Sequence, residues 1–236
     1  MRWMAALGVV AGLAGCVTDP ALVGKAAVAP PPAQVASATV YAGLQDNGFV
    51  VPAVPVDRVP AQFQRQTVRF ETDEPPGTII IDPTNRLLHF VTGPDTAIRY
   101  GISVGRAGFE WSGVAEVTNR RPWPTWTPPP EMIERDPKLA KWEDGQPGGP
   151  TNPLGARALY LTTNGVDYGY RIHGTPEWNS IGRNASSGCI RMINQDVIDL
   201  YSRVPDGAKV VVLNRDGSYP TRLTLPPPAP KKAASP

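Results

Sequence analysis

From Pro76 onward the chain is dominated by short apolar runs broken by turn residues. Thr78–Ile81 is a β-branched run, Asp82-Pro83-Thr84-Asn85 carries turn chemistry, and Arg86–Val91 is again strand-like, so the segment predicts a hairpin. Further strands are predicted at Ala97–Val104, Val114–Thr118, Ala158–Thr163, Tyr168–Ile172 and Ala208–Leu213. Gly93-Pro94-Asp95, Asn164-Gly165 and Pro205-Asp206-Gly207 separate them. Many short strands with regular turns point to a mainly β sandwich or barrel. A helical period is clear at Gln195–Arg203, where Val197, Leu200, Tyr201 and Val204 share a face and Asn194 is placed to cap. A shorter helix is expected at Glu131–Arg135, inside a proline- and tryptophan-rich stretch from Arg120 to Pro153. That stretch reads as a long ordered loop, either a cap over a cleft or a permanent part of the body.

Composition changes the picture at the two ends. Of 236 residues 28 are proline, concentrated near the termini and in the central loop. Proline fixes φ and removes a donor, so residues 16–75 read as a tether and 215–236 as a flexible tail. A short element around Val59–Phe70 is the one exception expected in the tether. The folded portion is then 76–214. At the start, Arg2 precedes an apolar run from Met4 to Ala14, too short to span a bilayer but fitting the core of a secretory signal. Its end, Leu13-Ala14-Gly15-Cys16, resembles the lipobox of bacterial lipoprotein precursors. The resemblance implies a signal peptide at 1–15 and lipid on the Cys16 sulfur. The chain is thus expected to be exported to the periplasm and lipid-anchored to a membrane.

Charge is nearly balanced, 23 basic against 21 acidic residues, with no basic block or aromatic-basic stripe, so no nucleic-acid partner is indicated. Cys16 and Cys189 are the two cysteines. With Cys16 consumed by lipid, Cys189 has no intrachain partner, and a leftover cysteine in an exported chain is either inert and buried or kept for reactivity. Its surroundings favour reactivity. His173 ends a predicted strand in Tyr170-Arg171-Ile172-His173-Gly174-Thr175, and Cys189 sits in a small-residue turn, Ser186-Ser187-Gly188-Cys189-Ile190-Arg191. An imidazole can take a thiol proton, and Gly188 leaves the backbone uncrowded, so main-chain N–H groups could form an oxyanion hole. Zinc lacks a completed ligand set, no G-x-S-x-G elbow supports a serine nucleophile, and His89 in its strand reads as structural.

This arrangement resembles the L,D-transpeptidase family with the YkuD-like catalytic domain, whose pattern is His-Gly followed some sixteen residues later by Ser-His-Gly-Cys. The likeness runs from about Pro76 to Leu213 and includes the GTIIIDPTNRLLHF hairpin, the PTWTPPPEMIERDP loop and the NPLGARALYL strand. One position departs from the pattern: Ser187 stands where the family has histidine. The resemblance implies a mainly antiparallel β-sandwich with a short helix after the nucleophile. It implies Cys189 as nucleophile, His173 as proton donor and acceptor, and Gly188 as a backbone oxyanion donor, with no cofactor or metal. Arg191, Ser187, Ser186 and Trp126 become substrate-binding candidates, Arg191 as a carboxylate clamp. The substrate implied is a peptidoglycan tetrapeptide stem, cut at its third residue with loss of D-alanine. The acceptor is a second stem or a lipoprotein lysine; water would make the enzyme a carboxypeptidase. A peptidoglycan-binding module without catalysis is the other alternative, and a papain-like thiol protease is disfavoured because here the histidine precedes the cysteine.

Overall fold

The computed structural model describes residues 38–226. In chain order the strands are β1 (Leu44–Asp46), β2 (Phe49–Val51), β3 (Gln66–Arg69), β4 (Ile79–Asp82), β5 (Leu87–Gly93), β6 (Thr96–Gly105), β7 (Gly113–Pro122), β8 (Arg157–Thr162), β9 (Arg171–Thr175), β10 (Asn184–Ser186), β11 (Ile190–Ile193) and β12 (Lys209–Val212). Two α-helices accompany them, α1 (Pro130–Arg135) and α2 (Asn194–Arg203). β1 and β2 form a separate hairpin, and the other ten strands form one sheet. Its order is β10-β6-β11-β9-β8-β7-β12-β4-β5, and β5 pairs again with β6, so the sheet closes on itself.

The expected mainly β fold is what forms, and its pairing is mainly antiparallel. Three pairs run parallel: β10 with β6, β11 with β9, and β12 with β4. Side-chain alternation sorts the faces. Ile79, Ile81, Leu88, Ile102, Leu159, Ile172, Ile190, Met192, Val210 and Val212 belong to the main core, to which α2 adds Val197 and Leu200. Ile80, Val91, Val211 and Leu213 form a second cluster with Phe70 on the opposite face of the same strands. This is why the Thr78–Ile81 run is apolar without alternation: both faces are covered.

Two local expectations shift. The strand expected at Tyr168–Ile172 forms instead at Arg171–Thr175. The cause is a turn in which Gly169, at φ 83°, donates its N–H to Asp167 Oδ1, while Arg171 pairs with the same carboxylate. A four-residue strand, β11, separates Cys189 from the helix, and Asn194 does not cap it. Asn194 is the first helical residue, and its Oδ1 accepts the buried Ala156 N–H at 2.9 Å.

The tether reading does not hold for residues 38–75. Tyr41, Val54, Val59 and Phe63 are buried together with Ile181 and Ile193. Polar contacts fix the same segment. Gln195 Nε2 donates to Pro52 O at 2.8 Å, Tyr41 OH donates to Asp196 Oδ2 at 3.0 Å, and Arg65 pairs with Asp199 at 2.8 Å. Burial pushes the Asp196 carboxyl up to about 7, although Arg65 and the Tyr41 hydroxyl pull it down. The prolines here break strands and helices without preventing the apolar residues between them from burying. The tail also starts later than 215, because Thr224 pairs with Ser112 and Leu223 packs on the main core. Cys16, the signal segment and the last ten residues lie outside the described residues.

Candidate active site

The parallel pairing of β9 with β11 sets Ile190 beside Ile172 and Arg191 beside His173. Since Ile172, Ile190 and Met192 enter the core, alternation turns His173 and Arg191 to the other face. Cys189, one residue before β11, joins them. A cleft of about 270 Å³ is lined by Cys189, His173 and Arg191 together with Ser186, Ser187, Thr175 and Glu177. The loop expected from the prolines and tryptophans supplies its other wall through Trp126, Met132 and Pro153, with Leu154 just beyond its end. The fold therefore gathers Cys189, His173, Ser186, Ser187, Arg191 and Trp126 into one place.

The turn carrying Cys189 is held from inside. Ser186 Oγ donates to the Cys189 carbonyl at 2.5 Å and accepts the Gly188 N–H at 3.1 Å. That second bond corrects an expectation: the Gly188 N–H is already satisfied within the turn and is not a free oxyanion donor. Buried Ser186 is likewise a brace for the turn. Gly188 is needed for its backbone, with φ at 107° and a hypothetical Cβ 2.8 Å from the Tyr170 ring. Trp111 Nε1 donates to Gly188 O at 3.1 Å, and its indole stacks on Tyr170 with centroids 4.4 Å apart.

His173 is 4% exposed, and burial draws its pKa down to about 4, with Arg191 and Arg171 adding to the effect and the Gly174 carbonyl opposing it. Nδ1 lies 2.5 Å from Gly174 O. A carbonyl only accepts, so Nδ1 carries the proton and Nε2 keeps its lone pair. Cys189 is partly exposed along the cleft, and its Sγ donates to Gly169 O at 3.6 Å. Burial pushes the thiol up; the Arg171 N–H and the charges of Arg171 and Arg191 pull it down, and Asp167 raises it. The resting pair is a neutral thiol and a neutral imidazole. Such a pair can attack an acyl carbonyl with the proton moving to nitrogen in the same step.

Other residues fall away from the chemistry. Trp123 is buried, donates Nε1 to Asp46 Oδ2 at 2.7 Å and packs on Phe49. Trp142 does not line the cleft. His89 is buried and stacked on Phe70 at 4.2 Å, as its place in a strand predicted. Among the described residues no group of three His, Cys, Asp or Glu side chains could hold a metal. Sequence reasoning missed Glu177, Met132, Leu154, Trp111 and Tyr170. Tyr170 had a signal in its position three residues before His173; the others carry none without the fold.

Fold and cleft together bring a cysteine and a neutral histidine to one cleft of a closed β-sheet. Residues 76–212 match the model of the YkuD family, the L,D-transpeptidase catalytic domain, and the chain belongs to that family. It is 32% identical over 151 residues to the probable L,D-transpeptidase ErfK/SrfK of Escherichia coli, covering 61% of this chain and 46% of that protein. It is 32% identical over 176 residues to the probable L,D-transpeptidase YcfS of the same organism, covering 72% and 54%. A crystal structure of a Brucella melitensis protein described as a probable carnitine operon oxidoreductase is 50% identical, covering 66% of this chain and 96% of that one, with a TM-score of 0.46. The chain spans about half the length of the curated relatives it matches.

Proposed function

We propose that the protein is a peptidoglycan L,D-transpeptidase in cell wall biogenesis that works through a thioester on Cys189. The observation that carries the reading is the shared cleft of Cys189 and a buried, neutral His173 whose Nδ1–H is tied to Gly174 O. In the donor step Cys189 Sγ attacks the carbonyl carbon of the third stem residue, at its L-centre, and His173 Nε2 takes the thiol proton. The tetrahedral adduct collapses with that proton passing to the leaving amine, so D-alanine departs and a thioester remains. An acceptor amine then attacks the thioester, His173 removes its extra proton, and the released thiolate is reprotonated. With the Gly188 N–H engaged, the donor proposed for the developing oxyanion is the Cys189 N–H. Trp126, Met132 and Leu154 form an apolar wall that would limit water at the thioester.

Peptidoglycan bearing tetrapeptide stems, incubated with the purified protein and digested to muropeptides, gives the test. The expected products are stems joined through their third residues, with loss of D-alanine and none formed by Cys189→Ala. Tripeptides alone would make water the acceptor. Unchanged muropeptides despite binding would leave the non-catalytic module as the better reading.

A further inference from the structure

The cleft contains one pair of opposite formal charges, Arg191 and Glu177, and its geometry differs from that of the two-pronged arginine–carboxylate pairs among the described residues. Arg157 grips Asp46 with two bonds of 2.6 and 2.7 Å, and Arg171 grips Asp167 with two of 2.7 and 2.8 Å. Arg191 meets Glu177 through a single Nη1–Oε2 contact of 3.3 Å, with side-chain exposures of 23% and 68%. A guanidinium offers a two-pronged fork and a carboxylate two oxygens, so a monodentate contact leaves capacity open on both sides. Each group is independently placed. Arg191 is set by its register with His173, and Glu177 by the end of β9, where Thr175 Oγ1 accepts its N–H at 3.1 Å.

Such a pair selects its ligand by charge. A lone carboxylate brought to Arg191 meets repulsion from Glu177, and a lone ammonium brought to Glu177 meets repulsion from Arg191. A head group carrying both signs satisfies both. Distance adds a second constraint. Arg191 stands two residues from Cys189 on the same face, about 7 Å along a strand. Where the third stem residue is a diamino acid with a second carboxylate, and so a second α-centre, five carbon–carbon bonds of about 1.5 Å each separate the carbonyl carbon attacked at its L-centre from that distal α-carbon, an extended span of about 6 Å.

We propose that Arg191 and Glu177 form a zwitterion clamp for the distal α-carboxylate and α-ammonium of the diamino acid at the third position of the donor stem. Arg191 takes the carboxylate and Glu177 the ammonium, exchanging one long contact for two complementary ones. The clamp rests on the transpeptidase reading of the cleft and specifies which stems that reading admits.

Three synthetic tetrapeptide stems test it: one with the free distal amino and carboxyl groups, one with the distal carboxylate amidated, and one with the distal amine acetylated. D-alanine release is followed as kcat/KM for wild type, Arg191→Gln and Glu177→Gln. Wild type should prefer the free stem over either blocked stem by about tenfold or more, as expected for loss of a charge-assisted contact. Arg191→Gln should lose the preference over the amidated stem and keep that over the acetylated one, with Glu177→Gln showing the reverse. The ratios within each variant cancel any general change in the reactivity of Cys189. Equal rates on all three stems in wild type, or preferences unmoved in the variants, overturn the clamp while leaving the transpeptidase reading intact. No D-alanine release by wild type from any stem overturns the transpeptidase reading and the clamp with it.

Discussion

A buried histidine that is neutral at rest sets a different pH dependence from one already ionised beside a thiolate. His173 has its pKa drawn down to about 4, so its basic form is present at all pH values above that and is lost only as pH falls through it. A free imidazole would lose its basic form near 6.5. The kcat/KM for acylation by a tetrapeptide stem should therefore stay nearly flat from pH 7 to about 5, with its acid limb below that. Stopped-flow or quenched acylation across this range checks it, and a limb near 6.5 would place the working histidine in a more solvated setting. At this scale much was legible in the sequence. A thiol that is free among the described residues, an upstream histidine and a glycine beside that thiol are features visible as residue types. The donor assignment at Gly188 was not legible, because the Ser186 hydroxyl reaches back to its N–H only in the folded turn.

Elements show how a proline-rich loop becomes both scaffold and wall. The segment from Trp123 to Pro153 is fixed at its base by Asn152, whose Nδ2 donates to Pro124 O, Gln146 O and Pro147 O at 3.0–3.1 Å. Trp126 and Gln146 add a reciprocal backbone pair of 2.9 and 2.7 Å. The base is thus permanent, while Trp126, Met132 and Leu154 face the cleft. Asn152→Ala removes the two N–H groups these three carbonyls share, with Gln146 O keeping only the Trp126 N–H, and should cost about 2–3 kcal/mol of stability. It should also weaken stem capture, because the wall residues hang from that base. Denaturant unfolding and stem titration measure the two effects, and unchanged stability would show that the loop is held elsewhere. Aromatic residues in the sequence signalled an ordered loop. Which tryptophan would face the cleft was not readable, since Trp123 is claimed by Asp46 and Phe49, far earlier in the chain.

On the scale of the whole molecule, the strands with β-branched runs and clean turns were legible, while what joins them was not. Closure of the sheet through β5 and β6, and the parallel pairing of β9 with β11 that sets Arg191 beside His173, depend on contacts between distant segments. The same holds for residues 38–75. Their prolines suggested an unpacked tether, yet Tyr41, Val54, Val59 and Phe63 bury against Ile181 and Ile193, and Arg65 and Tyr41 reach the helix that follows the nucleophile strand. The Cys189–His173 cleft thus belongs to a body larger than the matched 76–212 segment. The proposed chemistry rests on one covalent bond, the thioester on Cys189. Intact-mass measurement of the protein mixed with a tetrapeptide stem and no acceptor should show an adduct of the stem minus D-alanine. It should map to Cys189, disappear with hydroxylamine, and be absent in Cys189→Ala. An equal adduct on Cys189→Ala, or D-alanine released with no dependence on Cys189, would contradict it.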